Sequence, residues 1–357
     1  MKNIKRAICV LLCAVVLLSC SCRTPDGPVA QPKTQSKTFY EFFDTECAVF
    51  SYLGDTDEFS QNAEFVRGEL EMYHKLFNIY YAYSGVTNIY TLNKKAKDAP
   101  VAVSDELFSF LLYAKEMHAL TEGAVNIAMG SVLSLWHDVR EQIDEDPTLA
   151  VLPTDEQLRE ANLHTNIEDL ILDGENKTVY YRDPNLKLDV GALAKGYACE
   201  KIADAFIERG ITSYVLNFGG NIRTIGTKTN GEGWVTGITN PMRGEDPFIL
   251  RVSLKRISLV TSGDYQRYFV YERVKYHHII DPKTLYPARY FTSVSILTDD
   301  SGLGDALSTA LFCMSREDAQ LLLDKLADEG KTVDVLWVDT EGNTYMTDGF
   351  SAIVYTE

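Results

Sequence analysis

Predicted helices and strands follow one another along this 357-residue chain without a regular strand–helix–strand repeat. Apolar residues at three- and four-residue spacing predict helices at 62–80, 104–120, 191–209, 305–314 and 315–330. Apolar runs typical of strands occur at 42–52, 178–188, 213–218, 248–254, 257–260, 293–298, 333–338 and 351–355. Because a parallel sheet needs a regular series of crossovers, the pattern favours an α+β fold of mixed helices and sheets.

The N-terminus has the layout of a secretory signal. A cluster of three basic residues precedes an apolar stretch, 7–18, that is too short to span a membrane as a helix. The stretch ends in Leu-Leu-Ser-Cys, which resembles a bacterial lipobox whose cysteine, Cys20 here, is diacylated and becomes the mature N-terminus. An ordinary cleaved signal is the alternative, and Cys22 is a weaker second candidate for lipidation. We therefore expect an extracytoplasmic protein held on the bacterial cell membrane by lipid chains.

Composition divides the chain into three parts. Residues 1–19 are predicted to be the lipoprotein signal peptide, and 20–38, polar and with three prolines, a flexible tether after the lipidated cysteine. Residues 39–357 are predicted to form one folded domain. An acidic, proline-containing stretch at 144–160 is expected to be an exposed insertion.

The charge balance excludes one class of partner. Asp and Glu number 51 against 34 Lys and Arg, for a formal net charge of −17. Nucleic acid is bound through a positive field, so no nucleic-acid partner is expected. A phosphate compound can bind only if a local device, such as a divalent cation, overcomes the repulsion.

Two glycine-containing segments are candidates for binding an anion. Leu188–Tyr197 has an Asp at a strand end, small residues, and Lys195 near the start of a helix, where free N–H groups are available. Tight packing of helix on sheet needs the same small residues, so the two interpretations are about even. Paired glycines in the Asn217–Gly220 segment also follow a strand, but a plain turn explains them better.

Two further segments carry polar residues suited to catalysis or metal binding. Thr261–Asp264 is followed by His277 and His278, which point to opposite faces of a strand, so at most one faces a given site. A Ser/His/Asp triad is disfavoured because Ser262 lacks the nucleophile-elbow context. Asp305 and Thr309 share one helix face and can serve a hard cation, although a helix-capping Asp is the simpler interpretation.

Taken in chain order, eight segments between about Phe43 and Phe312 resemble the ApbE family, the FAD:protein FMN transferases. The segments are Phe43–Thr45, Tyr83–Asn93, Gly123–Gly130 with Leu135-Trp136, Asp189–Tyr197, Asn217–Gly220, Thr261–Asp264, His278–Pro282 and Asp305–Thr309. No single segment is decisive, but eight in order are highly specific. The resemblance implies an ApbE-like, T-fold-like architecture with mostly antiparallel sheets.

The resemblance also implies a magnesium site and a flavin site. By position, the Mg²⁺ ligands would be the backbone carbonyl of Ala192 with Asp305, Thr309 and Ser308. FAD would be contacted by Phe43, Tyr83, Ala124, Val125, Asn126, Asp189, Lys195 and Ile280, with Thr45 bordering the site. Three positions depart from the family pattern: Leu285 stands where Gly is usual, and Asn126 and Asn221 replace Asp.

The implied reaction is Mg²⁺-dependent transfer of FMN from FAD to a Ser or Thr hydroxyl of an acceptor protein, with release of AMP. His278 is the expected base for that hydroxyl. The expected acceptor is a membrane redox subunit with a Ser/Thr flavinylation motif. An Mg²⁺-dependent FAD pyrophosphatase that yields FMN and AMP is the nearest alternative, and a lipoprotein that only binds flavin is a second.

Overall fold

The computed structural model describes residues 34–52, 54–146, 151–242 and 244–356. The predicted signal peptide and Cys20 lie outside these residues. The described strands are β1 (Gln35–Phe39), β2 (Cys47–Ser51), β3 (Val101–Ala102), β4 (Leu170–Asp173), β5 (Thr178–Tyr181), β6 (Tyr214–Phe218), β7 (Asn221–Ile225), β8 (Trp234–Thr239), β9 (Phe248–Leu254), β10 (Ser258–Gly263), β11 (Tyr268–Tyr271), β12 (Val274–His277), β13 (Phe291–Thr298), β14 (Asp334–Asp339) and β15 (Thr344–Met346).

Helices occupy the segments between these strands. The described helices are α1 (Thr56–Phe77), α2 (Ile89–Lys95), α3 (Asp105–Leu120), α4 (Gly130–Glu145), α5 (Asp155–Asn162), α6 (Ala194–Glu208), α7 (Ser301–Phe312), α8 (Arg316–Asp328) and α9 (Asp348–Ser351). Within the described ranges, no helix combines the length and the apolar character that crossing a membrane requires.

An eight-stranded sheet in the order β1-β2-β6-β7-β10-β13-β14-β15 forms the centre of the fold. Every neighbouring pair in it is antiparallel. Three smaller antiparallel sheets, β3-β5-β4, β8-β9 and β11-β12, lie outside it. The prediction of an α+β fold with mostly antiparallel sheets is therefore confirmed.

The central sheet is buried on both faces in its middle strands. Side chains alternate between the two faces along a strand, and Ile296 of β13 packs in the largest apolar core with residues of α1, α6 and α7. Its neighbour Leu297 packs in a second core with residues of β9 and α9. Helices therefore cover one face, and the β8–β9 hairpin with α9 covers the other.

Helices α6 and α7 approach each other closely at Gly196. A Cβ atom at this position would overlap the Cβ of Asp305 and the carbonyl oxygen of Ser301. Only glycine allows this separation, which explains a glycine in the first turn of a helix. The contact brings the polar residues of the two predicted helices together.

Several predicted boundaries were wrong. The strand predicted at 42–52 begins only at Cys47, because Phe43 and Asp44 adopt left-handed conformations with φ of 55° and 50°. The helix predicted from Asp305 begins at Ser301, where the side chain of Asp300 caps it. Residues 351–355 are not a strand, and β1 lies within the segment predicted as a tether.

The described residues of the acidic stretch at 144–160 are mostly exposed, as expected, and part of the stretch is helical. Its described residues include the end of α4 and most of α5. Helix α5 begins with a capping box, in which the Thr154 side chain accepts from the Gln157 N–H and the Gln157 side chain accepts from the Thr154 N–H. The Thr-x-x-Gln spacing is a helix-start signal in the sequence itself.

Leu285 occupies the turn where the family pattern has glycine, and its backbone is left-handed with φ of 65°. Its side chain is buried in a third apolar core with Trp136 and Phe269. Its carbonyl oxygen accepts a 3.0 Å hydrogen bond from Trp136 Nε1. The turn therefore keeps the conformation that suits glycine, and the buried side chain offsets the strain.

An Ala substitution usually leaves a protein more stable than a Gly substitution at the same position. We predict that this order of stability is reversed at Leu285. Both changes lose a buried side chain and should destabilise the fold by about 2 kcal/mol or more. Leu285→Gly relieves the left-handed strain, so it should be more stable than Leu285→Ala by about 1 kcal/mol. Denaturant unfolding of the two variants measures the difference.

The exposed Leu321 in α8 is the matched control, because its side chain is 70% exposed. There, Leu321→Ala should be more stable than Leu321→Gly by about 1 kcal/mol. Finding Leu285→Ala to be the more stable variant would contradict the strain argument.

Candidate active site

A cleft of about 590 Å³ opens beside the start of α6 and is lined by Asp305 and Thr309 of α7. Eleven of the residues predicted for the flavin and metal sites line it: Phe43, Ala124, Val125, Asn126, Asp189, Ala192, Lys195, His278, Ile280, Asp305 and Thr309. Thr45 and Asn221 line it as well. The fold thus brings together residues that are up to 266 positions apart in sequence.

The side chain of Asp305, which belongs to α7, is buried against the first turn of α6. Its Oδ2 accepts a 2.8 Å hydrogen bond from the Gly196 N–H and lies 3.8 Å from Lys195 Nζ. Leu193, the N-cap residue of α6, provides no capping side chain, so Asp305 supplies this function from another helix. Burial raises the pKa of Asp305, and the Lys195 ammonium and the Gly196 N–H oppose that rise.

Some of the predicted metal ligands line the cleft, and one of them, Ser308, does not. Thr309 is half-buried and lies one helical turn after Asp305, and it lines the cleft with Ala192. Ser308 is fully buried and does not line the cleft. Its Oγ lies 2.9 Å from Ser262 Oγ and donates to the Asp305 carbonyl at 3.1 Å. The Ser308 hydroxyl is therefore engaged behind the cleft wall, and its role as a metal ligand stays a prediction.

The oxygen atoms of the predicted ligands suit a hard cation that takes its remaining ligands from outside the protein. The described residues contain no group of three or more His, Cys, Asp and Glu side chains that could hold a metal ion. A cation in the cleft would have one carboxylate, from Asp305, with a hydroxyl and a carbonyl beside it. Mg²⁺ takes oxygen ligands and is often held by one or two carboxylates together with phosphates of the substrate.

Asp189 lines the cleft from the segment five residues before the start of α6. Its Oδ1 accepts from the Gly191 N–H at 3.0 Å, and its Oδ2 lies 3.8 Å from His137 Nε2. Burial lowers the pKa of His137, and the nearby Asp189 opposes this shift. Asn126 also lines the cleft, but its amide bonds the Thr165 carbonyl and the Ala128 N–H, so it shapes the loop.

The left-handed turn at Phe43 and Asp44 forms a wall of the cleft. The Phe43 N–H donates to His74 Nδ1 at 3.1 Å, and Arg267 Nη2 donates to the Asp44 carbonyl at 3.0 Å. Burial lowers the pKa of His74, which keeps Nδ1 able to accept. These contacts hold two non-glycine residues in a conformation that is otherwise unfavourable.

Tyr83 does not line the cleft, contrary to the prediction of direct contact with flavin. Its hydroxyl lies 3.3 Å from His74 Nε2 and accepts from Asn78 Nδ2 at 3.4 Å. His74 and Asn78 are the members of this group that line the cleft. The chain between residues 78 and 83 folds back, so that the Tyr83 ring lies against His74 of helix α1. Tyr83 therefore supports the cleft wall without lining it.

His278 presents one nitrogen to the cleft. Its Nδ1 lies 3.1 Å from the Arg267 carbonyl, which can only accept, so Nδ1 carries the proton of the neutral ring. The lone pair therefore resides on Nε2. Although His278 keeps an exposed surface, desolvation of its ring by the surrounding protein lowers its pKa, and the Arg267 and Lys195 cations add to this shift. His277 instead is buried against Phe312 and bonds the Ala288 carbonyl.

The cleft does not share the strongly acidic balance of the chain. Its lining contains three permanent cations, Arg140, Lys195 and Arg267, and three carboxylates, Asp44, Asp189 and Asp305. The side chain of Asn221 adds a buried Nδ2 that has no hydrogen-bond partner of good geometry within the described ranges. Cationic and N–H donors at the start of a helix suit a phosphate-bearing ligand.

Sequence reasoning missed several residues of the cleft, among them His74, His137, Arg140 and Arg267. His137 directly follows the Leu135-Trp136 pair that was recognised, so its position was a usable signal. His74 and Arg267 gave no such signal, because each reaches the site through contacts with the Phe43–Asp44 turn.

Comparisons with known proteins agree with this arrangement. The ApbE family model matches residues 43–333. A FAD:protein FMN transferase from Klebsiella pneumoniae is 30% identical over 255 residues, which cover 70% of this chain and 74% of the relative. One from Treponema pallidum is 34% identical over 247 residues, covering 65% and 66%.

The solved structure of an ApbE protein from Thermotoga maritima has the same fold. It superimposes with a TM-score of 0.78 at 28% identity, covering 91% of this chain and all of that one. Together with the match over most of the chain, this shows that the protein belongs to the ApbE family.

Proposed function

We propose that this protein transfers FMN from FAD to a Ser or Thr hydroxyl of an acceptor protein, with release of AMP. Its relatives are named FAD:protein FMN transferases. The observation that carries the proposal is the meeting of Asp305, Lys195 and His278 in one cleft at the start of α6. An anion-binding helix start, a carboxylate and a base are what a phosphoryl-type transfer needs.

Mg²⁺ is proposed to bind between Asp305, Thr309 and the Ala192 carbonyl. When bound there, it would supply charge neutralisation for a diphosphate. Lys195, at the second position of α6, orients the phosphates by its charge, and Gly196 keeps Asp305 in place through its N–H. The half-buried Phe43 and the buried Ile280 provide apolar surface for the flavin part of FAD.

His278 is proposed to act as the general base. Its Nε2 accepts the proton of the acceptor hydroxyl as the hydroxyl oxygen attacks the phosphorus on the FMN side of the diphosphate. A new P–O bond forms, the P–O bond to AMP breaks, and AMP leaves with the electron pair. The Arg267 carbonyl keeps the other ring nitrogen protonated and so fixes the tautomer that can accept.

The protein is also proposed to work outside the cytoplasm, anchored to the bacterial membrane by lipid on Cys20. The proposal rests on the basic cluster, the short apolar stretch and the Leu-Leu-Ser-Cys sequence of the N-terminus. The acceptor, a membrane redox subunit, would then meet the enzyme at the same surface. Lipid chains on one residue provide attachment without a membrane-spanning helix.

Flavin transfer and its dependence on Asp305 can be measured together. Full-length protein is incubated with FAD, Mg²⁺ and a candidate acceptor domain, and in-gel fluorescence with mass spectrometry detects covalent FMN. Asp305→Asn should lower the rate roughly a hundredfold or more, because a key carboxylate of the cation site loses its charge. It should also raise the Mg²⁺ concentration needed for half-maximal rate.

Asp299→Asn is the matched control, because Asp299 is an exposed carboxylate just before α7 and does not line the cleft. It should keep the wild-type rate. Free FMN and AMP without labelled acceptor would favour the pyrophosphatase, and tight FAD binding without AMP would favour a flavin-binding protein. Either result contradicts the proposed transfer.

The pH dependence should report His278. Because its pKa is lowered, the neutral base persists below the ordinary histidine value of about 6.5, and activity is lost only as pH falls below that value. The acidic limb of kcat/KM should therefore lie below pH 6.5. His278→Gln should lower kcat by about 10²- to 10⁴-fold and remove this limb. An unchanged acidic limb in the variant would assign the titration to another group.

Lipidation at Cys20 predicts a defined change in fractionation. Cells expressing the wild-type protein should carry it in the membrane fraction and incorporate labelled fatty acid into it. Cys20→Ser should abolish incorporation and membrane attachment, because the acyl chains have no other attachment point. Cys22→Ser is the control and should behave like wild type. Labelling that depends on Cys22 would move the anchor to that residue.

A further inference from the structure

Helices α6 and α7 each provide a carboxylate to the start of the other. Asp305 of α7 accepts the N–H of Gly196, in the first turn of α6, at 2.8 Å. Glu200 of α6 accepts the N–H of Ser301, the first residue of α7, at 2.6 Å. Glu200 lies four residues after Gly196, and Asp305 lies four residues after Ser301. The two hydrogen bonds therefore stand one helical turn apart along the same contact.

A third element holds Glu200 in place. Arg223 of β7 donates to Glu200 Oε1 from Nε at 3.2 Å and from Nη2 at 2.9 Å. Ser301 uses the other oxygen, Oε2. The side chains of Glu200 and Arg223 are only 11% and 8% exposed, so solvent competes little for these bonds. Arg223 shares a face of β7 with Asn221, which lines the cleft.

We infer that Glu200, held by Arg223, is a positioning residue that fixes the register of α7 on α6 and thereby places Asp305 in the cleft. Neither residue lines the cleft, so they act on the proposed reaction only through Asp305. A shift of α7 along α6 would carry Asp305 away from the Gly196 N–H and the Ala192 carbonyl together. The inference rests on the proposed cation site at Asp305.

The contact at Gly196 is the first of two polar contacts between the helices. The backbone there leaves no room for a Cβ atom, so α6 and α7 lie very close together at this position. Asp305 lies at this close contact, and Thr309 lies one turn further from Ser301. The Glu200–Ser301 bond adds a second point one turn away, and two points define the direction of the helix.

The variant Glu200→Asp tests the inference in the full-length protein. It keeps the charge that Arg223 needs but shortens the side chain by one methylene, so the bond to the Ser301 N–H should be lost. Mn²⁺ titration followed by electron paramagnetic resonance should show a dissociation constant raised about tenfold or more. Hydrogen–deuterium exchange of peptides covering 299–306 in metal-free protein should be faster than in wild type. The Mg²⁺ requirement should rise, and kcat at saturating Mg²⁺ should recover.

Asp204→Asn is the matched control, because Asp204 lies one turn after Glu200 on α6 and pairs with the exposed Lys201 at 3.2 Å. It should leave both the Mn²⁺ affinity and the exchange unchanged. If Glu200→Asp does not fold, Arg223→Lys replaces it, since one ammonium cannot reproduce the two guanidinium bonds. The same several-fold weakening of Mn²⁺ binding is then expected.

Equal Mn²⁺ affinity in wild type and in the folded Glu200→Asp protein would overturn the inference while leaving the cation site intact. A lower kcat that saturating Mg²⁺ does not restore would also overturn it, because loss of folded protein has that effect. Failure of the wild type itself to bind Mn²⁺ would overturn the proposed cation site and the inference with it.

Discussion

The burial of one carboxylate against the start of a helix is the constraint on which the site depends. Asp305 is accommodated because Gly196 lets α7 approach α6 and because the N–H of that glycine donates a hydrogen bond to the carboxylate. An isolated buried carboxylate would be protonated, and burial does raise the pKa of Asp305. Lys195 and the helix start oppose this, so the same residues that stabilise the carboxylate also favour a bound anion next to it.

This arrangement resolves the conflict between an acidic chain and a phosphate-bearing ligand. The formal net charge of −17 would repel a diphosphate from most of the surface. Within the cleft, Arg140, Lys195 and Arg267 balance the carboxylates, and the start of α6 adds partial positive charge. Repulsion is therefore removed locally, by a few residues, while the rest of the chain keeps its net negative charge.

The sequence predicted the parts of the site that depend on local patterns and missed those that depend on long-range contacts. Spacing predicted the helix at 191–209 and put Asp305 and Thr309 on one helix face, whereas their roles in a site were implied by the family resemblance; the structure brings them together in one cleft. Ser308 lies beside Thr309, but its hydroxyl bonds Ser262 on β10. Glu200 looked like an ordinary helix residue, because its partners lie 23 and 101 positions away.

Arg267 connects two walls of the cleft that are remote in sequence. Its carbonyl fixes the tautomer of His278, and its guanidinium donates to the carbonyls of Phe43 and Asp44. The left-handed backbone of those two residues costs about 1–3 kcal/mol each, and hydrogen bonds to His74 and Arg267 offset that strain. Displacement of Arg267 would therefore release the strained turn and also disturb His278, the proposed base, so the geometry of each of these two walls depends on the other.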